Sequence, residues 1–378
     1  MIYLDHNATT RPLPEALEAS ARASREAWAN PSSLHGPGRR ARLAVEDARE
    51  QLAAMVRCEP QELIFTGGGT ETCNFALYGA ARALGASSTH RHLVAGAIEH
   101  SAVKSALLVL ESEGWEITWV KPDANGVVSA EAVTSALRAD TVLAAVMGAN
   151  NEVGTVQPFA GIGAALRARG VKFFCDMTQT LGKVEVDLSA ASVDLAAFAG
   201  HKIGAPKGAG ALYARKGFKP DALVRGGGQE RGLRGGTENV PGIAGFGAAA
   251  AWWTENGSLE RARLRTLRDA LQAALVERIP EARVNAAGVA RLPNTLNVTF
   301  PGARGDILVA ALDLRGVAAS AGSACASGSV KPSEVLLAMG RSVEEASSSL
   351  RFSTGFGDTL PEMEQAADIV AAAYAAAR

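Results

Sequence analysis

Short apolar runs alternate with helical stretches through the first two thirds of this chain, and few architectures tolerate that rhythm. Strand-like runs are read at residues 63–66, 93–98, 116–120, 142–147, 171–175, 195–199 and 210–213. Helical stretches such as 41–56, 102–112 and 159–169 fall between them. Continuous apolar strands separated by helices predict an α/β sheet covered by helices on both faces. The pattern changes near Trp252. A long helical segment at about 258–278 follows, then a strand at 295–300, a helix at 306–314, a Gly/Ser-rich loop, a strand at 349–353 and an Ala-rich final helix. This second part reads as a smaller α+β domain.

Length and charge narrow the function. A chain of 378 residues holds a large core and predicts two domains or three. With 38 basic and 39 acidic residues the net charge is −1, which gives no nucleic-acid footprint and no acidic tail. Residues 1–10 carry neither the basic nor the apolar region of a secretory signal, and the stretch near 243–253 is too short and too rich in Gly and Ala to span a bilayer. The four cysteines have no CxxC spacing and no histidine clustering, so neither a zinc site nor a disulfide framework is expected. A reducing cytoplasm is the expected compartment.

Several chemically useful side chains stand where strands end. The apolar run 193–199 leads into Gly200-His201-Lys202, and the run 171–175 ends at Asp176, with Gln179 three residues on. A lysine nucleophile and an acid at strand ends suit pyridoxal phosphate: the lysine forms a Schiff base, and the acid keeps the pyridine nitrogen protonated. Singly, such a lysine is more often a solvated surface charge, and such an aspartate a cap or turn residue. Gly67-Gly68-Gly69-Thr70 reads as a turn into a helix start, where backbone N–H groups can hold an anion; an ordinary βα turn capped by Thr70 is the plain alternative. His100 and Asn151 also follow strands. Ligands gather at the carboxyl ends of strands in open α/β sheets, and Thr70, His100, Asn151, Asp176, Gln179, His201 and Lys202 all map to that edge.

Three features lie outside this set. The glycine-dense segment 225–239 is either a flexible surface loop or a second phosphate contact through Thr237. Cys325 sits among Ala, Gly and Ser, which suits a thiol that must be reached and must move better than a buried one. Arg351 alternates with Leu350 and Phe352; it could clamp a carboxylate bidentately or be an exposed edge arginine.

The ordered motifs resemble the NifS/IscS-type cysteine desulfurases of the class V aminotransferase family, nearly end to end. They are 3–10 (Tyr-Leu-Asp-His-Asn-Ala-Thr-Thr), Asn30-Pro31-Ser32-Ser33-Leu34-His35, the turn ending at Glu71, Glu99-His100 and Asn150-Asn151-Glu152. Asp176 with Gln179, Gly200-His201-Lys202, Gly235-Gly236-Thr237-Glu238-Asn239 and Gly322-Ser323-Ala324-Cys325 complete them. The resemblance implies the fold of fold-type I pyridoxal-phosphate enzymes. A large domain (14–256) would hold a mixed, mainly parallel seven-stranded sheet, and residues 1–13 with 257–378 would form the small α+β domain.

The resemblance also implies the roles. Pyridoxal 5'-phosphate is the cofactor, bound covalently by Lys202, which later carries protons. His100 stacks on the ring and acts as acid/base, Asp176 pairs with the pyridinium, and Gln179 donates to the ring hydroxyl. Gly69, Thr70 and His201 hold the phosphate, with Thr237 reaching across a homodimer. Asn151 and Arg351 bind the carboxylate of L-cysteine. Cys325 takes the sulfur as a persulfide, leaving L-alanine, and passes it to a scaffold protein for iron–sulfur assembly or another thiolation; it can also ligate an iron–sulfur cluster transiently. The chain departs from the family at Ala199, where a serine commonly contacts the phosphate, and at Ala321 and Ala326, where hydroxyl residues are often seen. Other readings stay open: an aminotransferase, which Cys325 argues against, a selenocysteine lyase, or a non-catalytic sulfur-relay partner, which the Lys202, Asp176 and His100 set argues against.

Overall fold

The structure is a computed structural model that describes residues 1–85, 91–322 and 331–377. Twelve strands are present among them: β1 (Ile2–Tyr3), β2 (Leu63–Thr66), β3 (His92–Gly96), β4 (Glu116–Val120), β5 (Thr141–Ala145), β6 (Lys172–Asp176), β7 (Leu195–Ala199), β8 (Gly210–Ala214), β9 (Arg283–Val284), β10 (Thr295–Thr299), β11 (Val317–Ala318) and β12 (Ser349–Ser353). Helices α1 (Pro14–Glu26), α2 (Gly36–Val56), α3 (Gly69–Gly85), α4 (Ser101–Ser112), α5 (Ala130–Ser135) and α6 (Phe159–Arg167) precede a 39-residue helix, α7 (Val240–Arg278).

The main sheet has seven strands in the order β2-β8-β7-β6-β5-β3-β4. All neighbours pair parallel except β8, which runs antiparallel to both β2 and β7. This is the mixed, mainly parallel sheet expected from the sequence. Side chains alternate across it, as the period of two requires. Phe173, Cys175, Ala196 and Phe198 enter one core, beneath α2, α6 and α7, while Phe174, Leu195 and Ala197 enter the other, beneath α3 and α4. Strands buried on both faces read as continuous apolar runs, which is why the sequence shows them.

A third core, built on Leu296, Val298, Leu350 and Phe352, lies under the small sheet β12-β10-β9. The chain's first strand joins it late: β1 pairs parallel with β11, and Asp5 bridges to Ser353.

Helix α7 differs from expectation. It begins at Val240, capped by the Asn239 side chain, and runs through Trp252 without a break. Its first turns hold Gly242, Gly245 and Gly247, which weaken a helix in isolation. Here they permit close approach instead: a Cβ at Gly247 would lie 2.5 Å from the Ala48 Cα of α2. Tertiary packing outweighs propensity. The helix then serves two cores, with Phe246 and Trp253 in one and Leu267 and Leu271 in another.

The glycine-dense segment 225–239 is anchored rather than loose. Glu230, with a positive φ of 46°, receives both Arg49 Nη atoms at 2.9 and 2.7 Å and the Phe65 N–H at 2.9 Å. Arg49 and Glu230 are both buried, and the guanidinium lies 4.7 Å over the Phe65 ring. Removing one partner of such a pair strands a charge without water. Arg49→Ala is therefore expected to cost about 3–5 kcal/mol, read as a lower denaturant midpoint; an unchanged midpoint would show that the clamp carries no stability.

Candidate active site

The carboxyl ends of β3 and β5 diverge at a switch point, because β4 lies on one side of β3 and β5 on the other. Such a crevice is where open α/β sheets bind ligands. A cavity of about 520 Å³ opens there. It is lined by Gly69, Thr70, His100, Asn151, Asp176, Gln179, His201, Lys202 and Arg351. The seven positions read along one sheet edge thus meet around one space, joined by Gly69 and by Arg351 from β12.

One wall is the start of α3. The helix begins at Gly69, so Thr70 sits inside its first turn and not at the cap. A Cβ at Gly69 would come within 3.2 Å of the Ala199 Cβ. Gly69 and Thr70 both line the cavity, so the first turn of the helix, with its free N–H groups, borders it as a natural anion cradle. Glu71 secures the turn by accepting from the Gly67 N–H at 2.9 Å, and its carboxylate is held by Arg234 at 2.9 Å.

His100 caps α4: its Nδ1 accepts the Ala102 N–H at 3.1 Å, which puts a ring proton on Nε2. Burial and the Lys202 charge push the imidazole pKa down, against the pull of Asp176. Burial also lowers the pKa of His201, helped by Lys202, Lys207 and Lys183, to about 4, so this ring is neutral near pH 7. Asp176, at the end of β6, accepts the Thr178 N–H at 2.9 Å.

Lys202 follows β7 in a single helical turn, Gly200–Lys202. Its Nζ donates to the carbonyls of Asn7 at 2.6 Å and Ala8 at 2.8 Å. The Asn7 carbonyl also receives Gln179 Nε2 at 2.9 Å, and Asn7 Nδ2 reaches the Asn151 carbonyl at 3.2 Å. Asn7 is thus a hub for three candidate site residues, and only its place in the N-terminal motif hinted at this.

Arg351 is buried, so the exposed-edge reading of it is wrong: β12 buries both of its faces here. One nitrogen, Nη2, is 2.6 Å from Asp5 and another, Nη1, donates to the Asn151 carbonyl at 3.0 Å. Thr237 is exposed and does not line this cavity. Cys325 and Ala326 lie outside the described residues. The other three cysteines are poor nucleophiles: burial pushes Cys58 up to about 12 and raises Cys73 and Cys175 far above the usual thiol value. Among the described residues no cluster of His, Cys, Asp and Glu could hold a metal ion, and no helix is long and apolar enough to cross a membrane.

Sequence reasoning assigned no role to Glu99 or Glu152, which also line the cavity. Burial raises the pKa of both. Glu99 accepts the Met147 N–H at 2.8 Å, and Glu152 accepts the Ser333 hydroxyl at 2.5 Å. Both carboxyl groups stand in the segments that follow β3 and β5, where nothing local in the sequence marks them as buried.

The family model described as Aminotransferase class-V matches residues 2–365. The chain belongs to the class-V aminotransferase family. Within that family, the cysteine desulfurase IscS of Dictyoglomus turgidum is 40% identical over 98% of this chain and 93% of the relative. A solved structure of a NifS-like protein superposes with a TM-score of 0.91 at 34% identity, covering 98% of both chains. A structure of SspA in complex with cysteine is 33% identical with a TM-score of 0.80, covering 93% of this chain and 98% of that one. The NifS/IscS resemblance carried by the sequence motifs, and the fold expected from it, are confirmed.

Proposed function

We propose that this chain is a pyridoxal 5'-phosphate-dependent cysteine desulfurase, acting in the cytoplasm. It converts L-cysteine to L-alanine and carries the sulfur as a persulfide on Cys325. The observation that carries the reading is the convergence of Lys202, Asp176, His100 and the glycine-led start of α3 on one cavity. A primary amine, a buried carboxylate, a flat imidazole and an anion cradle are the donor set that this cofactor requires. Residues 14–256 supply that set, while 1–13 with 257–378 bring Arg351 and Cys325.

When bound, the cofactor draws electron density from the substrate's α-carbon. The protein's own groups do the rest. Lys202 holds the cofactor and moves the α-proton. Asp176 would keep the pyridine nitrogen protonated, and His100 would lie against the ring and exchange protons through Nε2. Gln179 donates to the ring oxygen. Thr70, His201 and the first turn of α3 hold the phosphate, and in a homodimer Thr237 of the partner subunit completes the cradle. Asn151 and Arg351 take the substrate carboxylate, which displaces Asp5 from the Arg351 Nη2. The Cys325 thiolate then attacks the substrate sulfur. A sulfur–sulfur bond forms, the carbon–sulfur bond breaks, and the carbon keeps the electron pair and takes a proton to give alanine. The sulfur passes to an acceptor scaffold protein, and the same thiol can ligate an iron–sulfur cluster transiently.

The test is direct. Protein loaded with pyridoxal 5'-phosphate and given L-cysteine and a thiol reductant should release alanine and sulfide in equal amounts. Pyruvate as the main product, or no alanine, would overturn the reading.

Ala199 fixes a further expectation. It stands beside the α3 start, where its methyl group offers a phosphate no hydrogen bond. Ala199→Ser is expected to tighten cofactor binding by about 1 kcal/mol, roughly fivefold. Cofactor dissociation constants of the two proteins in one buffer measure this, and an unchanged constant would mean that the other donors already saturate the phosphate.

A further inference from the structure

Lys183 is buried, yet it stands outside the lining of the main cavity. Its Nζ donates to the Gln179 Oε1 at 2.7 Å and to the Asn7 Oδ1 at 3.2 Å. Burial, with the nearby cationic charges of Lys202 and Arg351, pushes its pKa well below the usual lysine value. In either protonation state the amine has a hydrogen for each of these two acceptors. The Asn7 Oδ1 is in turn held by Asn294 Nδ2 at 3.1 Å.

The consequence falls on Gln179. Its oxygen is engaged by Lys183, and its nitrogen gives one hydrogen to the Asn7 carbonyl. A carbonyl can only accept, so the amide cannot turn over without setting two oxygens against each other. The nitrogen keeps its second hydrogen, and Gln179 lines the cavity. We propose that Lys183 is a positioning residue: it locks the Gln179 amide so that a side-chain N–H, not a carbonyl, is presented to the cavity. This rests on the reading of the cavity as a pyridoxal 5'-phosphate site, where the acceptor is the ring oxygen. Lys183 acts only through Gln179 and touches neither cofactor nor substrate.

A fixed donor on the ring oxygen weakens that oxygen's hold on the proton it shares with the lysine nitrogen. The pH midpoint of the bound cofactor's visible absorption change is therefore lower with the donor in place. In the loaded protein, Lys183→Met is expected to raise this midpoint by roughly half to one pH unit, the scale of one ordinary hydrogen bond. Gln179→Leu should raise it similarly, and the double variant no further, since both changes remove one donor. Shifts that add would mean that Lys183 acts by its own charge, and an unshifted Lys183→Met would mean that it acts on nothing in the cavity; either overturns the proposal. If Lys183→Met does not fold, Lys183→Gln keeps an N–H in the cluster and should fall between wild type and Gln179→Leu; a midpoint equal to that of wild type or beyond that of Gln179→Leu counts against the proposal. A wild-type chain that shows no visible band with the cofactor would overturn the cofactor reading as well, which sets that failure apart from this one.

Discussion

Lys202→Ala should lose at least about 1000-fold in alanine formation, because the nucleophilic amine and the proton carrier are one group. The loss should appear in the rate at saturating L-cysteine. The cradle at the start of α3 does not depend on this amine, so the variant should still take up pyridoxal 5'-phosphate, noncovalently and releasable by dialysis. Borohydride treatment should leave it unlabelled, where wild-type protein retains the cofactor on Lys202. Alanine production within tenfold of wild type would remove Lys202 from its role. The amine's contacts with the Asn7 and Ala8 carbonyls give a subsidiary readout: with them gone, the N-terminal segment loses one tether but keeps β1, so folding should survive.

Cys325→Ala should also damage turnover severely while leaving cofactor binding unharmed. Cys58, Cys73 and Cys175 all have thiol pKa values raised by burial, so none can stand in as a thiolate near neutral pH. The variant should stay yellow and change its spectrum when L-cysteine is added, since Lys202, Asp176 and the α3 start are intact. It should form no protein-bound persulfide, and alanine release should fall by about 100-fold or more. Persulfide mass on the intact protein, measured within the first turnover, separates the cases. Desulfuration at the wild-type rate would end the proposed role of Cys325.

Much of the sheet was legible because strands buried on both faces cannot hide polar residues. The run 195–199 matches β7 and 63–66 matches β2, both buried throughout, while 116–120 matches β4, an edge strand that is only partly buried. The others shift by only a few residues, since hydrogen-bonding partners, not side chains, fix where a ladder stops. The site was legible for a related reason. In a parallel sheet every strand delivers its following residue to one edge, so His100, Asn151, Asp176 and Lys202 could be placed together without knowing strand order.

What stayed hidden depends on long-range contact. Asn7 lies 172 positions from Gln179 and 195 from Lys202, and nothing local marks a backbone carbonyl that both will use. Lys183 looks like any lysine after a turn until its burial is seen. Arg351 reads equally as a carboxylate clamp or an exposed edge arginine, because the strand that carries it does not reveal that Asp5 will cover it. The segment 225–239 leaves a flexible loop open beside a phosphate contact through Thr237, because its glycines are visible while its anchor, Arg49, is in α2.

Helix α7 has a practical consequence for anyone who would take the molecule apart. It is inserted into the core beneath the main sheet at one end and into the core of the small sheet at the other. A scission near residue 256 would cut through the middle of a continuous rod. The cut would part Leu264 from the core of the main sheet and Ile2 and Leu4 from the core of the small sheet, and would leave each fragment a new end whose carbonyls or N–H groups lack their next turn. The two halves therefore cannot be expected to be recovered as separate soluble pieces, and recombining parts between relatives should succeed only where α7 is inherited whole.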